Sequence, residues 1–239
     1  MNMKLALVGY GKMGKEIERN LPENCKISVI IDNPEDWENK ESLLKTVDVA
    51  IEFSTPSAAF DNCKRCVELG IPVVSGTTGW NEQIDKFLQY SFAQSASFIH
   101  GSNFSIGANL FFSVNQYFAK LINSQEQYNV SIKETHHTAK LDKPSGTAVT
   151  VTNLIIEELE RKDGWLLDQN APGKIPVYAL REENVTGIHE VCYSSEEDEI
   201  TIAHQARNRK GFALGAIKAA QWLLQNPGVY NFKDIFHLI

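Results

Sequence analysis

The chain has 239 residues, of which 43% are hydrophobic and 22% charged, an ordinary globular composition that can bury one sizeable core or two modest ones and excludes a disordered chain. Its formal net charge of −7 argues against a nucleic-acid partner, because phosphate neutralisation needs a net basic face. No run approaches the roughly 20 apolar residues of a membrane-spanning helix, and the four cysteines are too sparse for a disulfide scaffold, so the expectation is a cytoplasmic protein with neither membrane nor nucleic acid among its partners.

Strand-like and helix-like segments alternate over the first hundred residues, the pattern of a parallel sheet built from βαβ units. Leu5 to Val8 is an apolar run ending in glycine, helix signals follow from Lys12 to Leu21, and the β-branched run Ile27 to Ile31 ends at Asp32. The segment Asn33 to Thr46 is polar, carries a proline and is too short for a long crossover, with a brief helix over Glu41 to Lys45. Val49 to Phe53 reads as the third strand, Ser57 to Leu69 as a helix, Pro72 to Ser75 as the fourth strand, Asn81 to Gln89 as a helix, and Phe98 with Ile99 as the fifth strand, ending near Ser102-Asn103-Phe104. Beyond that point the character changes. Ala108 to Ile122 and Thr147 to Arg161 read as helices around a half-buried strand at Tyr128 to Glu134, and three extended segments follow at Pro176 to Leu180, Ile188 to Tyr193 and Glu199 to Ala206. Clustered strands of this kind make an antiparallel or mixed sheet. An amphipathic helix over Phe212 to Leu224 then returns to the first domain. The class is therefore α/β: a Rossmann-type dinucleotide-binding domain over residues 1–106 and 209–239, and a smaller α+β substrate-binding domain with a mixed sheet over 107–208.

Gly9-Tyr10-Gly11-Lys12-Met13-Gly14 is a complete G-x-G-x-x-G between a predicted strand and a predicted helix. The first glycine permits the tight turn, the second lets backbone approach a pyrophosphate, and the third lets helix and strand pack closely. The helix N-terminus then offers unpaired N–H groups to phosphate. Asp32 ends the second strand, where an acid accepts hydrogen bonds from the ribose hydroxyls and repels a 2′-phosphate, so NADH is favoured over NADPH. The alternative is a merely structural glycine turn. Phe53 and Ser54, and Gly76-Thr77-Thr78-Gly79, end further strands on the same carboxyl edge, where small and hydroxylated residues leave room for the nicotinamide.

The richest segment runs from Lys133 to Ala148. It sets His136, His137, Lys140 and Lys143 on a loop between a strand and a helix, a positive cluster that is costly unless an anion visits it. Ser145-Gly146-Thr147 opens the helix and forms an anion site of the kind that holds carboxylate. A small dicarboxylate would satisfy both features. A metal at the paired histidines is the competing reading; adjacent residues of an extended chain point to opposite sides, and no cysteine or i,i+4 histidine completes a ligand set, so no metal is assigned. Cys63 and Cys66 form a C-x-x-C inside a helical pattern with no second pair nearby, which reads as packed thiols rather than a redox or zinc site. His189 and His204 lie on later strands, as core or pocket-lining residues.

Glu134 through Ala148 resembles, at every fixed position, the E-x-H-H-x-x-K-x-D-x-P-S-G-T-A hallmark of the 4-hydroxy-tetrahydrodipicolinate reductase (dihydrodipicolinate reductase) family. Supporting matches are Gly9 to Gly14, Gly76 to Gly79, Ser102-Asn103-Phe104-Ser105, Arg181 with Gly187 and His189, and His204 to Gly215, so the resemblance spans nearly the whole chain. It implies an NAD(P)H-dependent reductase of diaminopimelate and lysine biosynthesis. His136 would be the acid that protonates the product, with Lys140 the essential cation beside it. His137, Lys140 and Ser145-Gly146-Thr147 would hold the two carboxylates. Ser102, Asn103 and Phe104 would join the cofactor-binding residues, Arg209 matches an arginine at the joint between the domains, and the second domain would build a homotetramer through its sheet. Two departures stand out: the chain is shorter than most relatives after the second strand, and Asn33 follows Asp32 where many relatives carry an arginine for the 2′-phosphate, which leaves Lys12 as the cation for NADPH. The hypothesis is hydride transfer to a conjugated imine with proton delivery by His136. Its rivals are a non-catalytic NADH sensor on the same fold and a related amino-acid dehydrogenase.

Overall fold

Two units, each with its own core, divide the chain of this computed structural model, which describes residues 2–236: one comprises Met1–Ser105 with Arg209–Ile239, the other Ile106–Asn208. The first unit is built on a six-stranded, all-parallel sheet. Its strands are β1 (Met3–Val8), β2 (Cys25–Ile31), β3 (Val49–Glu52), β4 (Val73–Ser75), β5 (Phe98–His100) and, after a gap filled by the second unit, the strand Val229–Asn231. The order is β2-β1-β3-β4-β5 and then Val229–Asn231 at the edge. Central strands of a parallel sheet are covered on both faces, which is why β3 is buried at every position and β1 at all but Lys4. The helices are α1 (Lys12–Arg19), α2 (Pro34–Asn39), α3 (Glu41–Leu44), α4 (Pro56–Glu68) and α5 (Asn81–Ala93), together with the late helix Lys210–Gln225, which packs on α1 and β3.

The crossover from β2 to β3 differs from the sequence reading, for α2 fills what reads as loop. Its signals are local rather than periodic. The Asn33 side chain accepts from the Asp36 N–H at 3.1 Å, Pro34 stands at the first helical position, Glu35 and Asp36 occupy the first turn, and Trp37 is the buried residue. Capping, proline and acidic residues favour a helix start without any apolar stripe. Cys63 and Cys66 lie on the buried side of α4 as free thiols, pushed up in pKa by burial.

The second unit carries α6 (Ile106–Ile122), β6 (Asn129–His136), α7 (Gly146–Glu158), β7 (Gly164–Leu167), β8 (Lys174–Arg181), β9 (Ile188–Ser194) and β10 (Glu199–Gln205). Its sheet is mixed, ordered β10-β9-β6-β8-β7, with β6, β8 and β7 parallel and the remaining pairs antiparallel. Phe111, Phe112 and Ala119 of α6 and Val151 and Ile155 of α7 pack with Val130, Ile132, Val177, Val191 and Tyr193 of the strands. β7 and the strand Val229–Asn231 are half-buried edges of four and three residues, too short to show an alternating pattern in the sequence. Among the described residues, no helix is long and apolar enough to cross a membrane.

Candidate active site

In the first unit the strands deliver their following residues to one edge in register. The N–H groups of Gly9, Phe53, Gly76 and Gly101 donate to the last carbonyls of the neighbouring strands, Ile31, Val8, Glu52 and Ser75, at 2.7, 2.8, 2.9 and 3.2 Å. Strand order reverses between β1 and β3, the place where open α/β sheets form a ligand crevice. Gly9 has φ +92°, and a side chain there would put Cβ 2.1 Å from the Phe53 carbonyl oxygen. A Cβ at Gly14 would lie 2.5 Å from the Gly9 oxygen, whereas one at Gly11 would meet nothing within 4 Å. The outer glycines thus fold and pack the turn, and the middle one leaves open space. No side chain caps α1 and no acid stands in its first turn, so the free N–H groups of that turn suit a pyrophosphate. Asp32 is exposed at the end of β2, with Oδ1 accepting from the Tyr10 N–H at 2.7 Å. The ring of Phe53 lies where a Cβ of Gly76 would be, 2.1 Å from Phe53 Cε1, and meets Phe104 edge-on at 5.9 Å between centroids. These residues, with Ser54 and Thr77, form one cluster. Lys12 is exposed at the start of α1, Met13 half-buried behind it, Ser102 exposed, and Arg209 exposed at the N-cap of the late helix.

The second unit gathers its polar residues at the end of β6. The alternation that buries Val130 and Ile132 continues into Glu134 and His136, so two ionisable groups occupy the last core-facing positions of the strand. His136 is thus the last residue of β6 and not part of the following loop. Across the ladders Glu134 stands opposite His189 of β9, and His136 opposite Arg181 of β8. Glu134 is fully buried and heavily partnered: Ser145 N–H donates to its two oxygens at 3.0 and 3.1 Å, Arg181 Nη1 and Nη2 reach Oε1 at 3.3 and 3.4 Å, and His136 Nδ1 lies 3.3 Å from Oε2 at an angle short of a hydrogen bond. Burial alone would raise its pKa, but His136 and Ser145 prevail and hold the carboxyl down to about 2. His189 moves the other way. Burial first, and the neighbouring His136 next, lower it to about 3, so it is neutral at ordinary pH. Ser145 Oγ caps α7 by accepting the Ala148 N–H at 3.2 Å and lies 3.1 Å from His189 Nε2.

Arg181 also ties down the loop. Its guanidinium donates to the carbonyls of Lys140, Leu180 and Asp142 at 3.3, 2.6 and 2.5 Å. Lys140 Nζ binds both carboxylate oxygens of Asp142, at 2.7 and 2.8 Å. The sequence argument that the positive cluster requires a visiting anion is therefore corrected: Glu134 and Asp142 supply counter-charge from within the segment. His137 and Thr147 are half-buried and Gly146 is exposed at the first turn of α7.

Ligand atoms of Glu134, His136 and His189 all lie within 4.8 Å of one another, a set that could hold a metal ion. Spacing along the chain does not reveal this, because His189 arrives across the ladder. The donor set nevertheless fits a proton better than a cation. Arg181 and the Ser145 N–H already occupy the carboxylate, and the guanidinium would repel a second positive charge.

Residues 3–104 match the family described as dihydrodipicolinate reductase, N-terminus, and residues 107–236 match dihydrodipicolinate reductase, C-terminus. The chain belongs to the dihydrodipicolinate reductase family. A relative in Christiangramia forsetii, a 4-hydroxy-tetrahydrodipicolinate reductase, is 44% identical over 98% of this chain and 97% of its own. The enzyme of the same name from Rickettsia rickettsii is 34% identical over 95% and 96%. Among solved structures, the dipicolinate-bound dihydrodipicolinate reductase from Paenisporosarcina sp. TG-14 superposes with a TM-score of 0.81 at 25% identity, covering 98% of this chain and all of that one. Membership in the dihydrodipicolinate reductase family accords with the α/β architecture and its second, mixed-sheet unit. Sequence reasoning gave no role to Glu134 and Arg181 and read His189 only as a core or pocket-lining residue, although the first stands in the hallmark and the others among the supporting matches. The available signal was a charged residue at a core-facing position of a half-buried strand.

Proposed function

We propose that the protein reduces 4-hydroxy-tetrahydrodipicolinate, or its dehydrated imine, to tetrahydrodipicolinate with a nicotinamide dinucleotide, in diaminopimelate and lysine biosynthesis. The observation that carries this reading is the His136, Glu134, Arg181 and Ser145 cluster at the N-terminus of α7, in a chain that matches the reductase family over nearly its full length. The first unit is the dinucleotide-binding domain. Gly9, Gly11, Lys12, Met13 and Gly14 hold the pyrophosphate, Asp32 the ribose, and Phe53, Ser54, Gly76, Thr77, Thr78, Ser102, Asn103 and Phe104 surround the nicotinamide half, with Arg209 alongside. Bound there, the reduced nicotinamide supplies hydride.

The second unit is the substrate-binding domain. One carboxylate takes the N–H groups of Gly146 and Thr147 and the hydroxyls of Ser145 and Thr147, and the other takes His137 and Lys140, whose ammonium leaves Asp142 for the substrate. His136 delivers the proton that completes reduction. Its Nδ1 faces Glu134, so Nε2 is the free ring nitrogen, and Gly187 keeps space beside it: a Cβ there would sit 3.0 Å from Nε2. Glu134, Ser145 and Arg181 orient that acid and the anion-binding turn.

Asp32 followed by Asn33 favours NADH, with NADPH as the weaker cofactor. Assembly is a homotetramer through the sheet face that carries Tyr178, Leu180 and Ile188, of which Tyr178 and Leu180 are 40% and 39% exposed in the single chain. The test is oxidation of NADH and NADPH by purified protein with substrate made freshly from pyruvate and aspartate semialdehyde by the preceding enzyme. Oxidation that depends on that substrate is expected, faster with NADH; tight NADH binding without oxidation would favour a sensor. His136→Ala and Lys140→Ala should each lose at least about a hundredfold in turnover while binding NADH normally.

A further inference from the structure

Glu52, the last residue of β3, is fully buried, and its burial pushes its pKa up. Four groups reach its carboxyl, none of them a cation. The Ser54 N–H donates to Oε1 at 3.0 Å, Thr77 Oγ1 donates to Oε1 at 2.8 Å, Ser75 Oγ donates to Oε2 at 2.7 Å, and the Ser54 hydroxyl also donates to Oε1. All three hydroxyls belong to the ends of β3 and β4 or the loops that follow, at the carboxyl edge described above.

With Glu52 ionised, and so accepting only, counting hydrogens fixes what those hydroxyls have left. A hydroxyl has one hydrogen and two lone pairs. Thr77 Oγ1 gives its hydrogen to Glu52 and accepts, at 2.8 Å, the Ser54 N–H that it shares with Glu52 Oε1. Ser54 Oγ gives its hydrogen to Glu52 and accepts from Asn62 Nδ2 at 3.1 Å. Each keeps a single lone pair and no hydrogen. The Thr77 carbonyl is engaged as well, accepting from Trp80 Nε1 at 2.9 Å, which holds the loop in place.

We infer that Glu52 is a positioning residue that turns Ser54 and Thr77 into obligate hydrogen-bond acceptors, so that this part of the crevice selects a ligand group that donates. The carboxamide NH2 of a nicotinamide nucleotide is a group of that chemistry. A phosphate, which only accepts, gains nothing there, so the pyrophosphate is left to the glycine turn. The inference rests on the dinucleotide reading of the first unit.

The experiment compares affinities of NADH and of its reduced 3-acetylpyridine analogue, in which the carboxamide NH2 is a methyl group, for the wild type and for Glu52→Met, Glu52→Gln and Thr77→Val. The wild type should prefer NADH by about tenfold, the size of one hydrogen bond to an otherwise unmet acceptor. Glu52→Met, of similar length but without an acceptor, frees both hydroxyl hydrogens and should lose most of that preference. Thr77→Val should lose part of it. Glu52→Gln should restore it, since the amide oxygen can take the three donors of Oε1 and the NH2 can donate to Ser75. A Glu52 that only packs the sheet would lower both affinities together and leave their ratio unchanged. That result overturns the inference, as does a wild type without preference. If Glu52→Met does not fold, as circular dichroism will show, Thr77→Val and Glu52→Gln carry the same comparison. Failure of the wild type to bind NADH at all would overturn the dinucleotide reading beneath it, a result distinct from an unchanged ratio.

Discussion

Gly187 shows how much of this site hangs on single atoms. A Cβ built on it would stand 3.0 Å from His136 Nε2 and 3.2 Å from Cδ2, closer than side chains ordinarily approach, while Nδ1 on the far side of the ring is held near Glu134. The ring cannot yield without leaving its carboxylate. Gly187→Ala should therefore tilt the ring proposed as proton donor and lower kcat by roughly a hundredfold, the scale of a misplaced catalytic group. NADH affinity, measured by fluorescence titration, should stay unchanged because Gly187 lies in the other unit. Equal kcat in Gly187→Ala would mean that Nε2 is not the proton-delivering atom. Asp142 offers a second check at this scale. It grips Lys140 Nζ with both oxygens, so Asp142→Asn should free the ammonium and tighten binding of a dicarboxylate such as dipicolinate, by about threefold for loss of an exposed ion pair. Weaker binding would place Asp142 among the groups that present Lys140 instead of those that compete for it.

At the level of elements, β6 and α7 are joined by a loop whose shape depends on Arg181, which donates to the carbonyls of Lys140 and Asp142 and ion-pairs with Glu134. Arg181→Ala would leave a buried carboxylate without its guanidinium and the loop without its anchor, so a loss of about 3 kcal/mol or more in stability is expected, together with a raised KM for substrate. Arg181→Lys should recover little of either, since one ammonium cannot span the carboxylate and two carbonyls. Thermal denaturation and steady-state kinetics read the two effects separately. Elements of this kind were unevenly legible in the sequence. The parallel strands showed because burial on both faces leaves continuous apolar runs such as Leu5 to Val8, and the glycine turn showed because its spacing reflects backbone geometry. By contrast α2 buries a single tryptophan and starts on a cap, and β7 is a short half-buried edge, so neither carries periodicity. His136 read as loop because polar residues end a strand pattern, whereas the ladder with Arg181 extends to it. The motif marked the residues proposed as acid, cation and anion-binding turn; the partners around them lie 45 and more residues away in sequence from His136, on β8 and β9, or in Glu134 two residues before it, whose signal was only a charge at a core-facing position of the strand.

For the molecule as a whole, the two units carry different acid sensitivities. In the second unit His189 is lowered from 6.5 to about 3, so below pH 6.5 the unfolded chain takes a proton that the folded one refuses, and stability falls as pH drops from 6.5 toward 3. His204, also lowered by burial, acts in the same sense. Glu134, lowered from 4.5 to about 2, adds its own loss between pH 4.5 and 2, where the folded carboxylate still resists the proton that the unfolded one accepts. In the first unit the buried groups oppose one another. Burial lowers His100, which costs stability as pH falls below 6.5, but it raises Glu52, whose contribution is present in full below 4.5 and is lost as pH rises through its folded pKa. The second unit should therefore open first on acidification. Hydrogen exchange followed by fragment between pH 7 and pH 4 should show protection falling more steeply in β6 and β9 than in β1 and β3. His189→Gln should flatten the slope of the second unit between pH 6.5 and 4.5 and leave the first unit as it was. A parallel decline in both units, or an unchanged slope in His189→Gln, would mean that the buried histidine opposite Glu134 does not govern the acid response.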